Sequence, residues 1–291
     1  MGFMGESFRV AAVTDEFAPD LAAAIRSMAA IGMGGAELRT LSGRNVVDLS
    51  NEELDEAVAT VRDSGLEIVS IASPLLKCIL PDAPELDSRF QQDAFSSNHT
   101  FADQPRLAAR TFEIAGRAGA RIVRVFSYWR TVRPEECFGR IVEALARLAE
   151  EAASCGLIVG VENEHACNIS TGWETARLLA ALDCPNLGVV WDPGNALVAG
   201  ETPFPEGYGC LLPARIAHVH AKDCLYQEGK LVWGELGEGV IDWRGQVRAL
   251  WRDGYRGWLS LETHWSGPDG DKHQASRICG RNLMSLARVI E

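Results

Sequence analysis

Four short segments in the second half of the chain each end an apolar, partly β-branched run on a side chain able to bind a metal ion. They are Val159-Gly160-Val161-Glu162-Asn163, Val189-Val190-Trp191-Asp192-Pro193-Gly194-Asn195, Ile216-Ala217-His218-Val219-His220-Ala221-Lys222-Asp223 and Trp258-Leu259-Ser260-Leu261-Glu262-Thr263-His264. Glu162, Asp192, His220 and Glu262 follow one another at intervals of 30, 28 and 42 residues. A barrel of eight β/α units in roughly 250 residues repeats about every 30. The spacing therefore puts the four groups at the ends of consecutive barrel strands, on one rim. Two glutamates, an aspartate and a histidine form a mixed oxygen and nitrogen set. It suits one divalent ion, with Mn²⁺, Co²⁺ or Mg²⁺ ahead of Zn²⁺.

Such a rim needs strands and helices in alternation, and the sequence supplies both. Strand signals run over 8–13, 36–38, 67–72, 122–126, 157–161, 187–191, 216–219 and 257–261. Helical periodicity lies between them, beginning with a helix that Asp20 can cap and that places Leu21, Ile25 and Met28 on one face. Further helices are expected over 51–64, 106–118, 134–154, 175–182 and 242–253, with a last one over 275–290. The stretch 77–104 has no clear period and is read as a loop above the barrel mouth. The fold class expected is α/β: a single (β/α)8 TIM barrel spanning 1–291, with its site at the C-terminal ends of the strands.

Composition narrows the function. The chain has 291 residues, 47% hydrophobic, with a formal net charge of −12. That charge argues against a nucleic-acid partner, which needs a basic face. The eight cysteines are scattered without a C-x-x-C pair and are read as reduced thiols. No signal peptide is evident, and no apolar run reaches the roughly 20 residues of a membrane helix. A cytoplasmic enzyme with no membrane partner is expected. No G-x-G-x-x-G or phosphate-loop motif follows a strand, so no nucleotide cofactor is assigned.

Glu162-Asn163, Asp192-Pro193-Gly194-Asn195, His218-Val219-His220-Ala221-Lys222-Asp223 and Leu261-Glu262 together resemble the xylose-isomerase-like TIM-barrel superfamily, in its sugar phosphate isomerase/epimerase group. Glu37-Leu38-Arg39 and Leu236-Gly237-Glu238-Gly239-Val240-Ile241-Asp242-Trp243 add to the likeness. Relatives in that group include ketose 3-epimerases, hydroxypyruvate isomerase and inosose dehydratase. The resemblance implies a metal held by Glu162, Asp192, His220 and Glu262, with Glu162 and Glu262 also moving protons beside a carbonyl. The ion would stabilise the enediolate that results. The leading expectation is an isomerase or epimerase of a ketose or a related hydroxy-carbonyl compound. A dehydratase or β-eliminating lyase is the alternative, and a sugar-binding barrel without turnover the third. Asn195 departs from the endonuclease IV relatives, which place a histidine there, and Ser73 and Ser127 likewise stand without histidines at the ends of strands three and four. DNA repair is therefore not expected.

Lys222 is expected to meet substrate or to act as an acid. Asn195, His165, Arg130, Trp233 and His264 are further candidates for contacting a small sugar or polyol-derived substrate, and Trp129, Glu164 and Trp265 for lining its pocket. Of His218 and His220, one is expected in the lumen and the other packed outside it or behind the ligand shell. Cys167 and Cys224 are read as packing residues, and Gly237-Glu238-Gly239 as a turn, with a phosphate cradle as an alternative. A homo-oligomer is the expected assembly.

Overall fold

The structure, a computed structural model, describes residues 7–90 and 97–288. Eight short apolar runs form its main strands: β1 (Arg9–Val13), β2 (Gly35–Leu38), β3 (Glu67–Ala72), β4 (Ile122–Val125), β5 (Ile158–Glu162), β6 (Leu187–Trp191), β7 (Ile216–Ala221) and β8 (Trp258–Leu261). They pair in parallel and close into a barrel in which β1 meets both β2 and β8. The strands are buried on both faces, which is why they read as continuous apolar runs.

Helices α1 (Leu21–Ala30), α2 (Asn51–Asp63), α3 (Gln104–Ala118), α4 (Phe138–Ser154), α5 (Gly172–Ala180), α6 (Pro193–Val198), α7 (Trp243–Arg252) and α8 (Lys272–Leu286) follow the strands in turn. Their starts are chemically specified. Asp20 caps α1, and Ser50 with Glu53 forms a reciprocal capping box on α2, as does Thr171 with Glu174 on α5. The longest helix, α4, buries Ile141, Ala144, Leu145, Leu148, Ala149 and Ala152, a stripe at helical spacing. Each buried leucine contributes about 1.5–3 kcal/mol by leaving water, and Leu145→Ala would cost about 2–5 kcal/mol.

The expected loop 77–104 ends earlier than its composition indicates, because Gln104 already lies in α3 and Pro105 occupies its first turn, where no N–H is required. Residues 91–96 of that loop, and 289–291 beyond α8, lie outside the described residues. Two elements close to the expected site were not expected. Asp192 caps α6, with Oδ1 accepting from Asn195 N at 2.9 Å. Asp223–Gln227 and Lys230–Gly234 form a hairpin whose turn residues Glu228 and Gly229 have φ of 51° and 76°, the geometry of a two-residue primed turn. Among the described residues no helix is long and apolar enough to cross a membrane.

Candidate metal centre in a charged lumen

Glu162 is the last residue of β5, Asp192 follows β6, His220 lies near the end of β7 and Glu262 follows β8. All four are buried at one end of the lumen, and one potential ligand atom from each lies within 4.8 Å of the others. His220 Nδ1 is 3.3 Å from Glu162 Oε1 and 3.3 Å from Glu262 Oε2. Glu162 Oε2 and Asp192 Oδ2 are buried without a directed hydrogen bond. Lys222 Nζ stands 2.8 Å from that Asp192 oxygen, but as a charge beside it rather than along a lone pair.

The buried charges around the cluster do not balance among themselves. The described network contains six carboxylates: Asp15, Glu16, Glu37, Glu162, Asp192 and Glu262. Four cations meet them: Arg39, Arg124, Lys222 and Lys272. With neutral histidines, six against four leaves an excess of two negative charges, which one dication would cancel. Without it the cluster holds protons instead. Burial drives the Asp192 carboxyl up to about 7, with Lys222 pulling the other way and Glu162 and Glu262 adding to the rise. Burial alone would depress the His220 imidazole, yet Glu37, Glu162 and Glu262 outweigh it and hold its proton well above the ordinary range. The buried oxygens, the His220 Nδ1 turned toward three carboxylates and the charge excess all fit an oxygen-loving divalent ion.

The two glutamates have different surroundings. Arg39 Nη1 donates to Glu262 Oε1 at 2.6 Å, and Lys222 Nζ donates to Oε2 at 2.9 Å. Burial would raise the Glu262 carboxyl, but Lys222, His220 and Arg39 overcome it and hold it well below the usual range. Glu162 Oε1 accepts from Asn195 Nδ2 at 3.1 Å, while Arg124 Nη1 lies 3.2 Å from Oε2. Because a carboxylate only accepts, Asn195 must present its amide nitrogen to Glu162. Its Oδ1 then accepts from His165 Nδ1 at 2.8 Å.

Of the expected substrate contacts, Lys222, Asn195, His165, Trp233 and His264 come together beside the cluster. Trp233, from the unexpected hairpin, has its ring 4.8 Å from His264 and 6.0 Å from His165. Lys222 Nζ lies 5.5 Å from the Trp233 ring and 3.5 Å from His264 Nε2. The stem of Lys222 passes so close to Gly194 that a Cβ there would fall 2.6 Å from its Cγ, so the Pro193-Gly194 start of α6 requires glycine. Phe90, from the long loop, reaches the His165 ring at 5.8 Å.

Arg130 is not brought to the cluster. Its guanidinium donates to Cys167 O, Asn168 O, Ser170 Oγ and Glu174, pinning the loop after β5. His218 and His220 do not face opposite ways: residues two apart on a strand share a face, and both are buried with their rings 5.4 Å apart. The Gly237–Gly239 turn is no open phosphate cradle, because the Asp223 carboxylate fills it, accepting from Cys224 N, Gly237 N, Gly239 N and Ile241 N. Cys167 and Cys224 are buried thiols, the latter pushed up to about 12 by burial, in keeping with packing.

Sequence reasoning assigned no role to Arg124, Arg39 or Lys77. Arg124 interrupts the apolar β4 at a lumen-facing position, and that lone charge was a usable signal. Lys77 lies 3.6 Å from Glu164 and 4.3 Å from the Phe126 ring, a contact with no local sequence pattern.

Comparison with known proteins agrees with this architecture. Inosose dehydratase from Geobacillus thermodenitrificans (strain NG80-2) is 27% identical over 148 residues, covering 46% of this chain and 49% of that protein. The chain spans about half the length of the curated relatives it matches. The solved IolI protein with a bound zinc atom is similar with a TM-score of 0.72 at 14% identity, covering 97% of this chain and 100% of that one. D-Psicose 3-epimerase from Clostridium cellulolyticum H10, solved with D-tagatose, gives 0.70 at 15% identity, covering 96% and 98%. At such identities these structures speak to the fold alone. A family model described as a xylose isomerase-like TIM barrel matches residues 25–282, more than half of the sequence, and the chain belongs to that family.

Proposed function

We propose that residues 1–291 act as one catalytic domain, a divalent-metal-dependent lyase that dehydrates a sugar- or polyol-derived hydroxy ketone. The observation that carries the choice is the setting of Glu262. Epimerisation between two carboxylates needs one to take a proton and the other to deliver one, so each must be able to hold a proton in turn. Glu262 has one oxygen on Arg39 at 2.6 Å and the other on Lys222 at 2.9 Å, which leaves it a weak base. Glu162 Oε2 makes no directed hydrogen bond, although the Arg124 guanidinium lies 3.2 Å away, and is the less tightly held of the two carboxylates and so the better placed base. Burial would lower the Lys222 ammonium, but Asp192 and Glu262 outweigh it and hold its proton well above the ordinary range; an ion drawing on both carboxylates would loosen that hold and let Lys222 act as an acid. Relatives named inosose dehydratase support the same class of substrate and reaction.

An ion held by Glu162, Asp192, His220 and Glu262 would supply Lewis acidity, acidifying the C–H beside a carbonyl and stabilising the negative charge formed there. Glu162 Oε2 accepts that proton. The released electron pair forms the carbon–carbon double bond, and the β-hydroxyl leaves as water with a proton from Lys222 Nζ. Burial favours release of this proton once Asp192 and Glu262 are engaged elsewhere. Trp233 and His264 shield the cluster, and their ring faces suit the apolar faces of a sugar or cyclitol.

Isomerisation or epimerisation is the second reading, favoured by the two glutamates that both flank His220 Nδ1 at 3.3 Å. A screen of inososes and ketoses in D₂O, with Mn²⁺, Co²⁺, Mg²⁺ or Zn²⁺ added, separates the readings. An unsaturated product formed with loss of water supports the lyase. Deuterium incorporation without water loss transfers the assignment to the epimerase, and no exchange with any substrate leaves a binding barrel.

A further inference from the structure

The end of β2 supplies a carboxylate that the proposed chemistry does not use. Glu37 is fully buried, and its Oε1 lies 2.8 Å from His218 Nε2 and 3.3 Å from His220 Nε2. Its Oε2 is 3.4 Å from the same His220 nitrogen. An ionised carboxylate only accepts hydrogen bonds, so each Nε2 facing it carries a hydrogen. Nδ1 also faces carboxylates, but these are the other three candidate ligands, at 3.3 Å from Glu162, 3.3 Å from Glu262 and 3.9 Å from Asp192, so Nδ1 is the nitrogen that would give up a hydrogen to an ion placed among them while Nε2 keeps its own against Glu37.

We propose that Glu37, itself oriented by His218, is a positioning residue that fixes the tautomer and ring orientation of His220 so that the metal is bound through Nδ1. The proposal rests on the metal reading above and deepens it. A carboxylate behind a ligating imidazole holds the ring and raises its basicity, and removing such a partner typically costs 10–100-fold in metal affinity. The arrangement here is branched: one carboxylate serves two histidines on one strand, so His218 keeps Glu37 in place while Glu37 keeps His220 in place. A salt bridge confined to Glu37 and His218 would account for their burial, but not for the second contact to His220. A second metal on Glu37, His218 and His220, which also lie close enough to share an ion, would require His220 to bridge two ions through both nitrogens.

The test uses the whole chain stripped of metal and reloaded with Co²⁺ or Zn²⁺. In the wild type with ¹⁵N-labelled histidine, NMR of the Zn²⁺ form should show His220 coordinated through Nδ1, with a slowly exchanging Nε2 proton. Coordination through Nε2, or two ions per chain, overturns the proposal without any variant. Glu37→Gln should weaken Co²⁺ binding by roughly 10–100-fold, alter the visible spectrum of bound Co²⁺ and speed exchange of the Nε2 proton. Glu37→Asp should recover part of the affinity, and His218→Gln should show a smaller loss of the same kind. Unchanged affinity and an unchanged Co²⁺ spectrum in folded Glu37→Gln, or in His218→Gln should the former not fold, leave Glu37 a structural ion-pair partner. A wild-type chain that takes up no metal removes the metal reading itself, a result distinct from Nε2 coordination.

Discussion

Strands β5 to β8 end on Glu162, Asp192, His220 and Glu262, whereas β1 to β4 lead to Asp15 and Glu16, Glu37 and Arg39, Ser73, and Arg124. The β5–β8 half gathers three carboxylates and a histidine around one point, with Lys222 as the cation of that half that pairs with Asp192 and Glu262. In the β1–β4 half, Arg39 reaches Asp15, Glu16 and Glu262 at 2.8, 2.6 and 2.6 Å, and Arg124 Nη2 donates to Ala72 O and Ser73 O. One half holds donors ready for a ligand, and the other braces them. Buried charge therefore has two uses in this lumen, and substitutions in the two halves should fail differently.

The largest effect should come from the donor half. Glu162→Gln keeps shape and volume but removes the base, and should lower turnover by about 10²–10⁴-fold. Glu262→Gln should also abolish activity, chiefly through weaker metal binding. Steady-state kinetics beside calorimetry checks both. Full turnover in Glu162→Gln would move the base elsewhere, with His264 next in line because burial and Lys222 keep its imidazole neutral.

The bracing half should respond in stability first. Arg39→Met would leave the buried Glu16 and Glu262 and the partly exposed Asp15 without their shared cation, and breaking a buried pair in this way costs about 3–5 kcal/mol. Chemical denaturation of the metal-free variant should register that loss before any assay does. A variant as stable as the wild type would show that these carboxylates take up protons instead of unfolding the barrel.

Asp192 belongs to the donor half and should show the opposite sign. Its ordinary value is 3.8, and burial raises it to about 7 in the folded chain. The folded state therefore binds more protons than the unfolded state between these values, and the contribution of this group to stability falls as pH rises through that window. Metal must displace the proton, so affinity should drop as pH falls below about 7. His220, which also holds a proton, works in the same direction. Calorimetric titration in buffers of different ionisation enthalpy should register proton release, and Asp192→Asn should stabilise the metal-free chain while weakening metal binding. Affinity independent of pH would remove Asp192 from the ligand set.

The same division explains what could be read from the sequence. Donor-half residues sit at the ends of long apolar runs at repeat spacing, so strand pattern and residue type located Glu162, Asp192, His220 and Glu262 together. The bracing contacts join residues far apart in sequence, such as Arg39 and Glu262, and their partners have no local signature. A signal for the hairpin carrying Trp233 was present in Glu228-Gly229, a two-residue turn between strand-like runs, but the Asp223 carboxylate that ties its base to the Gly237–Gly239 turn had none. Arg130 shows the converse: a rim arginine in sequence, it is consumed by the loop after β5.

Lys272 gives the smallest and most discriminating change. It joins Glu16 Oε2 at 3.3 Å from a side chain that is 44% exposed. A half-exposed pair of this kind is screened and contributes about 0.2–1 kcal/mol, so Lys272→Ala should barely lower stability. It also raises the excess negative charge of the network from two to three. Metal affinity should therefore rise slightly at low salt, and the difference should vanish as salt screens the exposed charge. A stability loss as large as that of Arg39→Met would mean that Glu16 depends on Lys272 rather than on Arg39. The bracing would then extend to α8, and the boundary between the two halves would lie beyond β8 rather than between β4 and β5.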